Sequence, residues 1–267
     1  MLSVEKIAKS YSSNGWRGPG RHLVLKEVSL ECRPGECVGI IGASGSGKST
    51  LGRLILGLEQ PDAGSVRIDG EELGRRSRRG AVSAVFQDYR SSIHPFFTVR
   101  QALQEALGGS RRSGDSKRES SRKLETALEQ VGLDVTYLER YPHELSGGQA
   151  QRICLARALL TGARWIVLDE AVSSLDAPVQ VQVLELLREA RGIYGTGYLF
   201  ITHDLEAAAY LCDRIAVLHE GRIIETIETE RLGELRTPYA RELLDKFRLG
   251  HALVPRQHAA ITKEERE

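Results

Sequence analysis

Gly42-Ala43-Ser44-Gly45-Ser46-Gly47-Lys48-Ser49-Thr50 decides the fold of this chain. Gly42 and Gly47 stand five apart, and Lys48 and Ser49 follow at once. In a loop of this composition successive backbone N–H groups can point at one anion, because glycine tolerates the required angles and has no side chain to block close approach. The pattern predicts that Gly42, Ser44, Gly45, Gly47 and Thr50 surround a nucleotide's phosphates, that Lys48 reaches the β and γ phosphates, and that Ser49 offers its hydroxyl to Mg²⁺. Cys37 to Ile41 reads as a short apolar strand before the loop. Residues 49–58 carry helical spacing through Leu51, Leu54, Ile55 and Leu58 after it. Strand, loop and helix are the context such a loop needs.

Further apolar runs end in polar residues. Val82 to Phe86 delivers Gln87, Trp165 to Leu168 delivers Asp169 and Glu170, and Tyr198 to Thr202 delivers His203. Between the last two, Val179, Val183 and Leu187 fall on one helical face. Strands alternating with helices predict a parallel sheet covered on both sides, with ligands at the carboxyl ends of its strands. Ser65 to Ile68 before Asp69-Gly70, and Ile215 to Leu218 before Glu220-Gly221, read as hairpins and predict a small antiparallel layer beside that sheet. The stretch from Thr98 to Leu160 has helical spacing, as at Leu124, Leu128 and Val131, and reads as an inserted helical subdomain. The expectation is an α/β fold. A mostly parallel core over 1–87 and 162–240 holds a helical subdomain over 88–161, and 241–267 forms a short C-terminal extension whose last dozen residues fray.

The 267 residues, 41% of them hydrophobic, suffice for one sizeable core with a satellite. Lys and Arg number 37 against 36 Asp and Glu, so no overall positive field speaks for nucleic acid. Basic runs occur at Arg75, Arg76, Arg78 and Arg79, and at Arg111, Arg112, Lys117, Arg118, Arg122 and Lys123. Without interleaved aromatic residues they read as solvated faces. No run reaches the length of a membrane-spanning helix, and the first residues lack a signal peptide's apolar stretch, so a cytosolic chain is expected. Cys32, Cys37, Cys154 and Cys212 show no metal or disulfide spacing. Cys32 and Cys37 flank a turn and are expected to face one another across a hairpin.

Asp169 is suited to hold Mg²⁺, directly or through water, while Glu170 is suited to polarise a water toward the γ-phosphate. His203 can hydrogen-bond that phosphate and orient the water, and Gln87 can join the Mg²⁺ shell. The expected catalytic set is therefore Lys48, Glu170 and His203, and the expected metal set is Ser49, Gln87 and Asp169.

Leu145-Ser146-Gly147-Gly148-Gln149 separates one group of phosphate-loop proteins from the others. With it, the chain resembles the ATP-binding subunits of ATP-binding cassette transporters, whose elements follow in order: the loop at 42–50, Gln87, the signature at 145–149, Asp169-Glu170, Ser173 to Asp176, and His203. The resemblance covers roughly residues 1–245. It implies a P-loop NTPase core and a head-to-tail dimer burying two ATP molecules. Each ATP is held by the loop of one subunit and by the equivalents of Ser146, Gly147, Gly148 and Gln149 of the other. Asp176 is also implied at the nucleotide site, and Tyr11, just after the first strand, is implied to stack on adenine.

Tyr141-Pro142-His143-Glu144, the stretch from Phe86 to Val99, and Thr237 to Leu244 are similar to the oligopeptide, dipeptide and nickel importers. Ala171-Val172 after the carboxylates is similar to the second ATPase of nickel importers. That implies uptake of nickel or a nickel-like metal chelate, with peptide uptake as the alternative. It also implies a second ATPase, two permeases, an extracytoplasmic binding protein, and a place at the cytoplasmic face of the bacterial inner membrane. The DNA-maintenance ATPases that share the signature place a long coiled coil or zinc modules between loop and signature. About a hundred residues intervene here, without sustained heptads. Twin cassettes acting in translation carry two such loops in one chain, and this chain has one.

Overall fold

The computed structural model describes residues 1–15, 18–72, 80–88, 92–108, 117–173 and 175–251. Two sheets carry the architecture. The first has the order β2-β1-β4-β5 and is antiparallel, with β1 Leu2–Gly15, β2 Gly18–Cys32, β4 Ala63–Ile68 and β5 Glu71–Glu72. The second has the order β10-β9-β3-β8-β7-β6, with β3 Cys37–Ile41, β6 Val82–Phe86, β7 Trp165–Asp169, β8 Gly197–Thr202, β9 Arg214–His219 and β10 Arg222–Glu228. It is parallel from β9 to β6, and β10 closes its edge antiparallel. The helices are α1 Lys48–Leu56, α2 Val99–Gly108, α3 Lys117–Gln130, α4 Gly147–Leu160, α5 Ala177–Tyr194, α6 Leu205–Leu211 and α7 Pro238–His251.

Strand periodicity divides the apolar runs between two cores. Val38 and Ile40, Val167, and Leu199 and Ile201 face the first sheet, where they join Leu2, Val4, Ile7 and Leu25 and the inner face of α1, Leu51, Leu54 and Ile55. Cys37 and Ile41, Ile166 and Leu168, and Tyr198 and Phe200 face the other way, onto Ile153, Val183, Leu187, Ala207 and Leu211 of α4 to α6. The expected buried stripe of α5 is present at Val183 and Leu187. Leu124, Leu128 and Val131 are buried against the same second core.

Three readings from sequence need correction. The hairpin of β9 and β10 extends the main sheet; the antiparallel layer is built by the long β1–β2 hairpin with β4 and β5. That hairpin hides from a period-two reading because its register shifts between Val4 and Ile7 and again before Lys9 and Ser10, with Lys6 and Glu27 at positive φ. Cys32 and Cys37 do not face one another across a hairpin, since they belong to different sheets, and the thiol beside Cys37 is that of Cys212, 3.4 Å away. The first helix stops at Leu56, where Gly57 adopts the left-handed cap, two residues before Leu58. Lys117, Arg118, Arg122 and Lys123 belong to α3. Arg75 to Arg79, Arg111, Arg112, Ser174 and the last dozen residues lie outside the described residues.

Candidate nucleotide site

Sheet register assembles the site. Phe86 pairs with Asp169, Asp169 with Ile201, and Ile201 with Ile40, so the carboxyl ends of β6, β7, β8 and β3 lie along one edge. Gln87, Glu170 and His203 each follow their strand at that edge, and Gly42 opens the phosphate loop beside them. The cleft there has a volume of about 680 Å³ and is lined by Ser44, Gly45, Gly47, Lys48, Ser49, Thr50, Gln87, Glu170, His203 and Val24. Val24 escaped the sequence reading because a valine in a strand carries no chemical signature.

The loop fits phosphates on its own geometry. Gly47 has φ 106, and a Cβ there would meet Leu25 Cδ2 at 2.7 Å, so only glycine suits the position. It begins α1 with no side-chain cap. Among the described residues the backbone N–H groups of Ser44, Gly45 and Gly47 make no hydrogen bond within the chain. Uncapped donors at the start of a helix suit an anion. The Lys48 amine donates to Gly42 O at 2.7 Å and Ala43 O at 3.0 Å. Burial holds that amine below its ordinary range, although Glu170 and Asp169 pull the other way.

Ser49 Oγ donates to Asp169 Oδ1 at 3.1 Å. Burial pushes the Asp169 carboxyl above its usual range, against this hydrogen bond. A hydroxyl and a carboxylate side by side, with the exposed Gln87 carboxamide on the same edge, form an all-oxygen donor set that suits a hard cation such as Mg²⁺. Glu170 leaves β7 at φ 52, a left-handed angle that turns its carboxylate into the cleft. That carboxylate is mostly buried and bonds His203 Nδ1 at 2.9 and 3.0 Å, while the imidazole remains 63% exposed. Asp204, next along, caps α6 through Glu206 N and Ala207 N.

Other candidates lie apart. Ser146 begins α4 in a reciprocal box: Ser146 N donates to Gln149 Oε1 at 2.9 Å, and Gln149 N to Ser146 Oγ at 3.3 Å. Gln149 Nε2 donates to the Tyr137 hydroxyl, and Gly148 packs so closely on α5 that a Cβ would meet Val179 Cγ1 at 2.8 Å. None of Ser146, Gly147, Gly148 and Gln149 lines the cleft. Asp176 begins α5 without a side-chain cap bond and is also outside the lining. Tyr11 sits within β1 and not after it, opposite His22, and does not line the cleft itself, but its hydroxyl bonds Glu59 and lies beside Thr50, which does.

A phosphate loop at the edge of a parallel sheet, facing a carboxylate and a histidine, with a signature turn directed elsewhere, defines a nucleotide-hydrolysing cassette. Comparison with known proteins gives the family. The ABC transporter family matches residues 25–173. The chain is 44% identical to the metal-staphylopine import system ATP-binding protein CntF of Staphylococcus aureus, over 92% of this chain and 98% of that one. It is 39% identical to the nickel import ATP-binding protein NikE of Rhodospirillum rubrum, over 98% and 94%. It superposes on a dimeric post-hydrolysis structure of the ATP-binding cassette MJ0796 bound to ADP and Pi with a TM-score of 0.76 at 28% identity, covering 86% of this chain and 99% of that one. The chain belongs to the ABC transporter family. It is an ATP-binding ATPase of that family, with the P-loop NTPase cassette fold.

Proposed function

We propose that this chain energises the uptake of nickel or a nickel-like metal chelate through an importer complex. The observation that carries the cargo is the similarity, along nearly the whole chain, to subunits named for metal-staphylopine and nickel import. The cassette occupies 1–240 in this proposal, with 88–161 as the helical subdomain and 241–267 as the extension. It pairs head to tail with a second, similar ATPase, below two permeases fed by an extracytoplasmic binding protein. Nucleic acid has no part in it. Among the described residues no helix is long and apolar enough to cross a membrane, which suits a subunit attached to the cytoplasmic face through its permeases.

Hydrolysis follows from the groups at the sheet edge. The loop N–H groups of Ser44, Gly45 and Gly47 hold the substrate's phosphates, and Lys48 leaves the carbonyls of Gly42 and Ala43 to bind the β and γ oxygens. Ser49, Asp169 and Gln87 would hold Mg²⁺, which when bound neutralises charge on those oxygens. Glu170 accepts the proton of the attacking water. His203 bonds Glu170 through Nδ1, which orients the carboxylate and leaves Nε2 for the γ-phosphate. Tyr11 serves the adenine. Ser146, Gly147, Gly148 and Gln149, with Asp176, act on ATP held by the partner, which is why they can lie outside this chain's own cleft.

Uptake of radioactive nickel, free and chelated, and of a labelled dipeptide by cells lacking this chain tests the cargo. Loss of metal uptake with normal dipeptide uptake is expected; the reverse pattern overturns the assignment.

A further inference from the structure

The phosphate loop is braced from behind by residues far along the chain. A Cβ on Gly42 would fall 2.1 Å from Leu218 O of β9, and Gly221 N, in the β9–β10 turn, donates to Ser46 O at 3.2 Å. Both braces are backbone groups. The third is a side chain: Ala43 N donates to the hydroxyl of Tyr239 at 2.8 Å.

Tyr239 is itself fixed. Its ring stacks on His219 with centroids 3.8 Å apart, and His219 ends β9. The turn leading into α7 is tied to β10 by Glu225, whose carboxylate accepts from Arg236 N at 2.8 Å, Thr237 N at 2.9 Å and Thr237 Oγ1 at 2.7 Å. Ala240 and Leu244 then bury the inner face of the helix in the second core. A hydroxyl held this firmly is a preorganised acceptor.

Ala43 stands at the pivot of the loop. Its carbonyl accepts from the Lys48 amine at 3.0 Å and from Ser46 N at 3.2 Å, while its N–H goes to Tyr239. When Lys48 turns to phosphate the carbonyl loses one partner, but the N–H keeps its own. We infer that Tyr239 is a positioning residue for the phosphate loop: it holds the Ala43 peptide while Lys48 moves, so that less ordering of the loop is charged against nucleotide binding. The inference rests on the nucleotide reading of this site and adds to it a residue of the C-terminal helix.

The test uses the purified full chain as wild type, Tyr239→Phe and Leu243→Ala, titrated with ATP and, in competition, with inorganic tripolyphosphate, alongside thermal unfolding without ligand. Tyr239→Phe keeps the ring and removes the acceptor. Its Kd for both ligands should rise about three- to tenfold, the range for one lost hydrogen bond, with Tm within about 2 °C of wild type. Leu243→Ala, which trims a side chain packed on the second core, should lower Tm by several degrees and leave both affinities alone. Unchanged affinity in Tyr239→Phe, or equal weakening in Leu243→Ala, overturns the inference. So does a loss confined to ATP, which would put the effect at the base or ribose. Wild type that binds neither ligand would bring down the nucleotide reading, and this inference with it.

Discussion

The phosphate loop and the signature turn are both glycine-rich segments that open a helix, yet the two helices begin in opposite ways. Helix α1 starts at Gly47 with no side-chain cap, behind a lysine that must borrow loop carbonyls as partners. Helix α4 starts at Ser146 inside a complete capping box. An uncapped start asks for a ligand; a capped one is stable alone and can be offered to another molecule. The box uses the N–H of Gln149 and leaves those of Gly147 and Gly148 outside it. One chain thus carries two unlike helix starts, and only the uncapped one lines the cleft.

The largest break in this comparison is chemical. Glu170→Gln should slow ATP turnover in the assembled complex by ~10²–10⁴ while ATP binding is kept, because a general base is lost and the phosphate contacts are not. Single-turnover rates and nucleotide binding on the same preparation check it, and wild-type turnover would remove Glu170 from that role.

The glycines give the next contrast. At Gly42 an added Cβ meets a backbone oxygen at 2.1 Å, whereas at Gly148 it meets the end of the Val179 side chain at 2.8 Å. Chemical unfolding should show Gly42→Ala costing more than about 3 kcal/mol, and Gly148→Ala about 1 kcal/mol.

Smaller effects should differ in sign. Ser146→Ala removes the cap and should destabilise the chain by about 1 kcal/mol. Asp169→Asn should do the reverse and raise the Tm of the ligand-free chain at neutral pH. The folded state holds the Asp169 carboxyl above its ordinary range through burial, so its contribution to stability is present below the unfolded pKa and is lost as pH rises through the folded one. The advantage of the asparagine should therefore fade as pH falls below the ordinary carboxylate range. Thermal melts from acid to neutral pH check this, and an advantage that grows toward acid contradicts it.

The gathering of the candidate residues at one sheet edge was legible because it is local. A strand that ends in a polar residue announces that residue's place, and parallel register does the rest for Gln87, Asp169, Glu170 and His203. Pairings between distant segments were not legible. A hairpin signal at Glu220-Gly221 says that two strands pair, not which sheet they join, and nothing near Cys37 points to Cys212. Tyr11 reads as lying after a strand because the bulged hairpin of β1 and β2 breaks the alternation that marks a strand's length. The contact of Tyr239 with Ala43 spans most of the chain and has no local signature.

The most direct test of the two-halves account measures ATP affinity and turnover for Ser146→Arg. The isolated chain should bind ATP within about twofold of wild type, because its own cleft contains no part of the signature. The assembled complex should lose at least about tenfold in turnover, because the partner's ATP loses its donors. Full turnover in the complex, or weakened ATP binding by the isolated chain, would contradict the account.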